Sequence, residues 1–128
     1  MRIIKFRGKD ATGQKGWVYG DLVHNMKVTA TGLEPRVMVG GYEVDPETVG
    51  EFTSLRDKNG EEIYEGDIIN CRGCKPLLEV RFVRGVFSFL WGGDLDNEFP
   101  TDTPTFEWAE VVGNIHDNPE LLLLDMGF

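Results

Sequence analysis

The chain has no apolar run longer than Leu121-Leu122-Leu123-Leu124, against the ~20 residues that a membrane-crossing helix needs, so no such helix is encoded. The first residues, Met1-Arg2-Ile3-Ile4-Lys5-Phe6-Arg7, carry charge at Arg2, Lys5 and Arg7 instead of an apolar block. That is not the pattern of a signal peptide, and the expected location is the cytoplasm. Basic residues are outnumbered: 13 Lys and Arg against 22 Asp and Glu leave a formal charge of −9, which repels phosphate backbones and anionic membranes. Nucleophile and phosphate motifs are absent. There is no Gly-x-Ser-x-Gly, no Gly-x-x-x-x-Gly-Lys-Ser/Thr and no His-Glu-x-x-His, so no enzyme class is signalled. Cysteine is limited to Cys71 and Cys74. Their Cys-Arg-Gly-Cys spacing suits half of a zinc ribbon, but His24 and His116 are remote in sequence and supply no second ligand pair. A thioredoxin-type motif would open a helix, whereas Lys75-Pro76 follows here. Two reduced thiols are the reading; metal binding or a disulfide at Cys71 and Cys74 is the alternative.

What the chain does have is punctuation. Sixteen glycines and six prolines separate β-branched and aromatic runs of strand length, and a chain of 128 residues suits one strand-rich domain spanning 1–128. Ile3 to Arg7 and Gly16 to His24 read as strands around an Asp10-Ala11-Thr12-Gly13 turn. Asn25 to Pro35 has weak patterning and reads as a long connection before Arg36-Val37-Met38-Val39. Asp45-Pro46-Glu47 has the cap, the proline and the acid of one helical turn. Glu51 to Leu55 and Glu62 to Tyr64 flank Asp57-Lys58-Asn59-Gly60, and Asn-Gly suits a tight hairpin. Gly66 to Cys71, Leu77 to Val83 and Val86 to Trp91 read as neighbouring strands, with Arg84-Gly85 as a tight connection. Gly92 to Pro104 reads as an exposed acidic loop, Thr105 to Val112 as a strand, and Asn118-Pro119-Glu120 as a helix start. Asp10-x-x-Gly13 with Gly20-Asp21 echoes Asp57-x-x-Gly60 with Gly66-Asp67. In each copy an aspartate, Asp21 or Asp67, follows glycine at the entry to an apolar strand, where its carboxylate can accept backbone N–H bonds and fix the turn.

The stretch from Val44 to Ile69, with Thr53-Ser54-Leu55-Arg56-Asp57-Lys58-Asn59-Gly60 and Ile63-Tyr64-Glu65-Gly66-Asp67-Ile68 at its centre, resembles the signature of YopX-like proteins, which are encoded mainly by phages and prophages. Ile4-Lys5-Phe6-Arg7-Gly8 with Gly16 to Leu22 is similar to the family's beginning, and Val112 to Leu122 to its end, so the resemblance covers essentially the whole chain. It implies a mainly β fold with a barrel-like sheet and one or two short helical turns, a phage or prophage origin, and assembly into rings or larger oligomers. It implies no catalytic residue and no cofactor. Ser54 stands where the family pattern usually carries glycine. If that glycine is left-handed the serine is strained; if it serves close packing the serine is a tolerated addition.

The remaining constellations are weighed on their own chemistry. Neither the loop from Asp57 nor that from Asp94 has the glycine and terminal acid of an EF-hand; a loose divalent-cation site in the acidic loop is a minor alternative. Glu65 and Asp67 flank Gly66 and could pair as acid and base, and His24 or His116 could serve as a base, but the simpler reading has Asp67 tying a turn and Glu65 facing water. Lys5, Arg7 and Lys9 would share one strand face and, with exposed aromatics, would be the nucleic-acid candidates. A solvated or protected edge is the plainer reading, and the −9 charge disfavours nucleic acid. Phe87, Phe89 and Trp91 share a face suited to a core or a subunit interface. Asp57, Asn59, Gly60, Gly66 and Asp67 are expected to shape turns, and Ile63, Tyr64, Ile68 and Ile69 to anchor a core or interface. The leading reading is a non-enzymatic accessory protein that self-associates and binds a host or phage protein. A nucleic-acid-binding small β-barrel and a cryptic enzyme using Glu65 and Asp67 are the alternatives.

Overall fold

The computed structural model describes residues 3–71, 77–83, 86–91, 98–100 and 109–125. The chain divides into two compact units, Met1–Phe52 and Thr53–Phe128.

In the first unit, β1 (Phe6–Lys9) and β2 (Trp17–Gly20) form the expected hairpin, with Phe6 opposite Gly20 and Lys9 opposite Trp17. The strand starts at Phe6 and not at Ile3; Ile3 and Ile4 are exposed. Asp10 closes the turn: its carboxylate accepts the amides of Thr12 and Lys15 and the Thr12 hydroxyl, and its carbonyl accepts Gly13 N–H. β3 (Leu22–Thr29), β4 (Gly32–Val39) and β5 (Tyr42–Val44) make a three-stranded antiparallel sheet in that order. The long connection expected from Asn25 to Pro35 is therefore replaced by a hairpin arm, paired without a break from Leu22↔Val39 to Thr29↔Gly32. It was masked because its residues alternate poorly and its bend, Ala30-Thr31, carries none of the usual turn residues. At the arm's root, Gly20 and Gly40 approach closely. A Cβ on Gly20 would lie 2.8 Å from Gly40 Cα, and one on Gly40 would overlap the Tyr19 carbonyl oxygen, so only glycine fits both places.

Asp45 caps the helical turn Pro46–Thr48 by accepting Glu47 N–H at 3.1 Å, as its sequence predicts. The chain then enters β6 (Gly50–Arg56), whose first residues pair with β1 through Arg7↔Gly50 and Phe6↔Glu51. Val18, Val39 and Val44 are buried as this unit's core, with Phe6, Leu22, Val37 and Val49 packed around them. Each fully buried aliphatic side chain contributes roughly 1.5–3 kcal/mol.

In the second unit, the end of β6 runs beside β7 (Glu62–Tyr64), and Thr53 Oγ1 donates to the Ile63 carbonyl at 2.8 Å. Their turn is not the two-residue Asn-Gly type. Gly60 N–H donates to Asp57 O and Asp57 N–H to Glu61 O, with Gly60 at φ +82°, a three-residue loop with a bulge. A five-stranded antiparallel sheet follows, in the order β11 (Glu98–Pro100), β10 (Val86–Trp91), β9 (Leu78–Val83), β8 (Asp67–Cys71), β12 (Ala109–Asn114). The expected adjacency of β8, β9 and β10 holds, while a short strand, β11, interrupts the expected acidic loop. Ile63, Ile69, Leu78, Val80 and Ala109 form the core, and α1 (Glu120–Asp125) follows.

The fold is mainly β, as expected, with one 3₁₀ turn and one short α-helix among the described residues. Among the described residues the strands form open antiparallel sheets and no closed barrel. Closure needs an unbroken ladder of tilted strands, and these strands of three to eight residues are repeatedly interrupted by turns.

Candidate functional site

Strand alternation sorts the arm into two unlike faces. On one, Val23, Asn25 and Lys27 stand opposite Met38, Arg36 and Glu34. This face satisfies itself: Arg36 Nε donates to Asn25 Oδ1 at 2.7 Å, and Lys27 Nζ meets both Glu43 carboxylate oxygens at 3.1 Å. On the other, Leu22, His24, Met26 and Val28 stand opposite Val39, Val37, Pro35 and Leu33. Its root belongs to the core, but its outer half is bare, with Met26 52%, Leu33 64% and Val28 84% exposed. Between the arm and the helical turn, His24, Met26, Pro35, Val37 and Pro46, with Asn25 and Arg36, line a hollow of about 420 Å³. An apolar face of this kind excludes water only when something lies on it, and such faces mark association surfaces.

Of the three basic candidates, Arg7 and Lys9 lie in β1 and approach one aromatic ring, and Lys5, just before the strand, approaches another. Arg7 lies 4.5 Å and Lys9 5.8 Å from the Trp17 ring centroid, and Lys5 lies 5.1 Å from that of Phe52. Arg7 is buried, so its guanidinium serves packing and cation–π attraction more readily than a phosphate at the surface. His24 lines the hollow. His116 and Asp117 follow β12, where Asn114 Oδ1 accepts both their amides.

In the second unit the signature residues do structural work. Asp57 Oδ1 accepts the amides of Asn59 and Glu61 at 2.8 and 2.9 Å, and its Oδ2 accepts that of Val111 at 3.0 Å. Asp67 Oδ2 accepts Tyr64 N–H at 2.8 Å, and the Gly66 backbone bonds to Val80 and Ile115. Ile63, Tyr64, Ile68 and Ile69 are buried, as expected. Asp67 lies in β8 and Glu65 in the turn before it. An acid that the sequence reading missed sits nearby. Glu79, buried on the central strand β9, meets Arg81 Nε at 3.1 Å. Burial lifts its carboxyl above the usual range, Arg81 draws it down and Glu65 pushes it up. The Glu79-x-Arg81 alternation was the available signal.

Among the described residues no group of three metal-ligating side chains occurs. Cys74, the tight connection expected at Arg84-Gly85 and most of the expected acidic loop lie outside the described residues, as do the side chains of Cys71, Phe89 and Trp91. Among the described residues no helix is long and apolar enough to cross a membrane.

The solved structures similar to this chain include two that align over nearly its whole length. Protein EF1440 from Enterococcus faecalis is 24% identical with a TM-score of 0.58, over 95% of this chain and 99% of that one. Protein yopX from Bacillus subtilis is 18% identical with a TM-score of 0.50, over 95% and 97%. Comparison with curated proteins finds no match. These likenesses concern the fold; kinship rests on the YopX protein family model, which matches residues 5–123 across both units, and the chain belongs to that family.

Proposed function

We propose that the protein is a non-enzymatic interaction module that self-associates through the apolar face of the arm, and that it serves a phage or prophage as an accessory protein in the bacterial cytoplasm by engaging a host or phage protein. The observation that carries this reading is the continuity of the face, from buried Val39 and half-buried Val37 to exposed Met26, Leu33 and Val28. Burying such side chains on a second surface contributes about 25 cal/mol for each Å² of apolar area removed from water. The carboxylates of Asp57 and Asp67 accept backbone amides, a structural role that supports adhesion over acid–base chemistry. The phage role rests on the sequence resemblance.

Light scattering over a range of concentrations tests the reading. The wild type is expected at a multiple of its 14.4 kDa chain mass, and a Val28→Glu, Leu33→Glu double variant at the mass of one chain with unchanged circular dichroism. A wild type that stays monomeric throughout overturns it.

A further inference from the structure

We infer that β3 is the edge to which a second copy adds, antiparallel, so that two three-stranded sheets become one sheet of six. This rests on the reading of the arm as the association surface and names the backbone groups and register that would perform it. Among the described residues β3 is an end strand of its sheet, and it pairs with β4 over eight residues without a bulge or a proline in β3. Natural edges of that length are usually blunted by bulges, prolines or lysines. The one lysine here, Lys27, is held by Glu43 on the opposite face.

The direction of the free backbone groups follows from one bond. Gly40 N–H donates to Asp21 O at 3.1 Å, which makes Asp21 and Gly40 a hydrogen-bonded pair. In an antiparallel ladder such pairs alternate with pairs whose N–H and C=O point outward. The amides and carbonyls of Leu22, His24, Met26 and Val28 therefore face the open edge. Pro35 fits the same rule. It opposes Met26 in an outward-pointing pair, so its missing N–H is lost from no bond to β3, and β5 pairs only with Val37, Met38 and Val39.

Charge argues for a second copy as occupant. From Leu22 to Val39 the charged residues are Lys27, Glu34 and Arg36, a net +1, which leaves −10 for the remainder of a chain at −9. Two such chains repel nearly everywhere else, and the arm is where they can meet without like charges opposed. A two-fold axis normal to the sheet keeps both apolar faces on one side. With Asn25 on the axis, Leu22 opposes Val28 of the second copy, His24 opposes its Met26, and every residue from Leu22 to Val28 has a partner. Centring on Met26 instead would set Leu22 against Ala30 in the bend.

Two variants test the edge. Met26→Pro removes an N–H that points away from β4 and is expected to raise the dissociation constant at least about tenfold while circular dichroism is unchanged. Asn25→Cys, with Cys71 and Cys74 replaced by serine, is expected to form a disulfide-linked dimer under mild oxidation, because non-hydrogen-bonded partners lie only about 4.5 Å apart at Cα. Glu34→Cys on the same background is expected not to. If Met26→Pro assembles as the wild type does and Asn25→Cys fails to cross-link, while Val28→Glu, Leu33→Glu still dissociates the assembly, edge addition is overturned and the apolar-face reading stands. A monomeric wild type overturns both.

Discussion

Ser54 holds φ at +71° within β6 and is the one described non-glycine residue in the left-handed region. There the Cβ crowds the following carbonyl, at a cost of about 1–2 kcal/mol for an L-residue. The resemblance sets this serine where the family pattern usually has glycine, and the backbone angle favours the conformational reason over the packing one. Ser54→Gly relieves that strain but gives the unfolded chain more freedom, which returns part of the gain. The expected net effect is a stabilisation of about 0.5–1 kcal/mol, or roughly 2–5 °C in Tm. Ser54→Ala keeps the Cβ and is expected to gain nothing. Thermal melts of the two variants beside the wild type check this, and a glycine variant no more stable than the alanine one would refute it.

The turns at Asp10 and Asp57 show how far one local element can carry different structural consequences. In each, the aspartate accepts the amide two residues on, from Thr12 or Asn59, and its carbonyl accepts the N–H of Gly13 or Gly60. The sequence echo is thus a repeated turn. Asp10 is half-buried, and its contacts stay within its own hairpin, with its carboxyl held below the usual range by the Thr12 hydroxyl and amide. Asp57 is buried, and its second oxygen reaches Val111 in β12, 54 positions away. Asp57→Ala is expected to cost about 2–4 kcal/mol, because it leaves three amides without their charged acceptor and loosens β12 from the turn. Asp10→Ala, in the same local geometry, is expected to change little. Urea unfolding of both variants measures the contrast. The same contrast explains what the sequence made legible. Asp-x-x-Gly announces a turn wherever it occurs, since Asx bonding is local, but nothing near Asp57 announces Val111. The arm was hidden for the opposite reason: a strand pair with one face against solvent and no core beneath its tip has no need to alternate cleanly.

At the scale of the whole molecule, the −9 charge and the bare arm make opposite demands, and salt is the variable that separates them. Two acidic chains brought together through the arm feel repulsion from the rest of their surfaces, at separations that a Debye length of ~10 Å at 0.1 M leaves partly unscreened and ~3 Å at 1 M does not. Apolar contact is not weakened by this screening. Raising sodium chloride from about 0.05 to 0.5 M is therefore expected to tighten self-association, visible in sedimentation velocity as a shift to larger species at fixed protein concentration. The alternative use of Lys5, Arg7 and Lys9 on nucleic acid has the reverse sign, because binding that releases condensed counterions weakens steeply with salt. Assembly that dissolves at high salt would mean that ion pairs hold the copies together, and would remove the apolar face of the arm as the surface responsible.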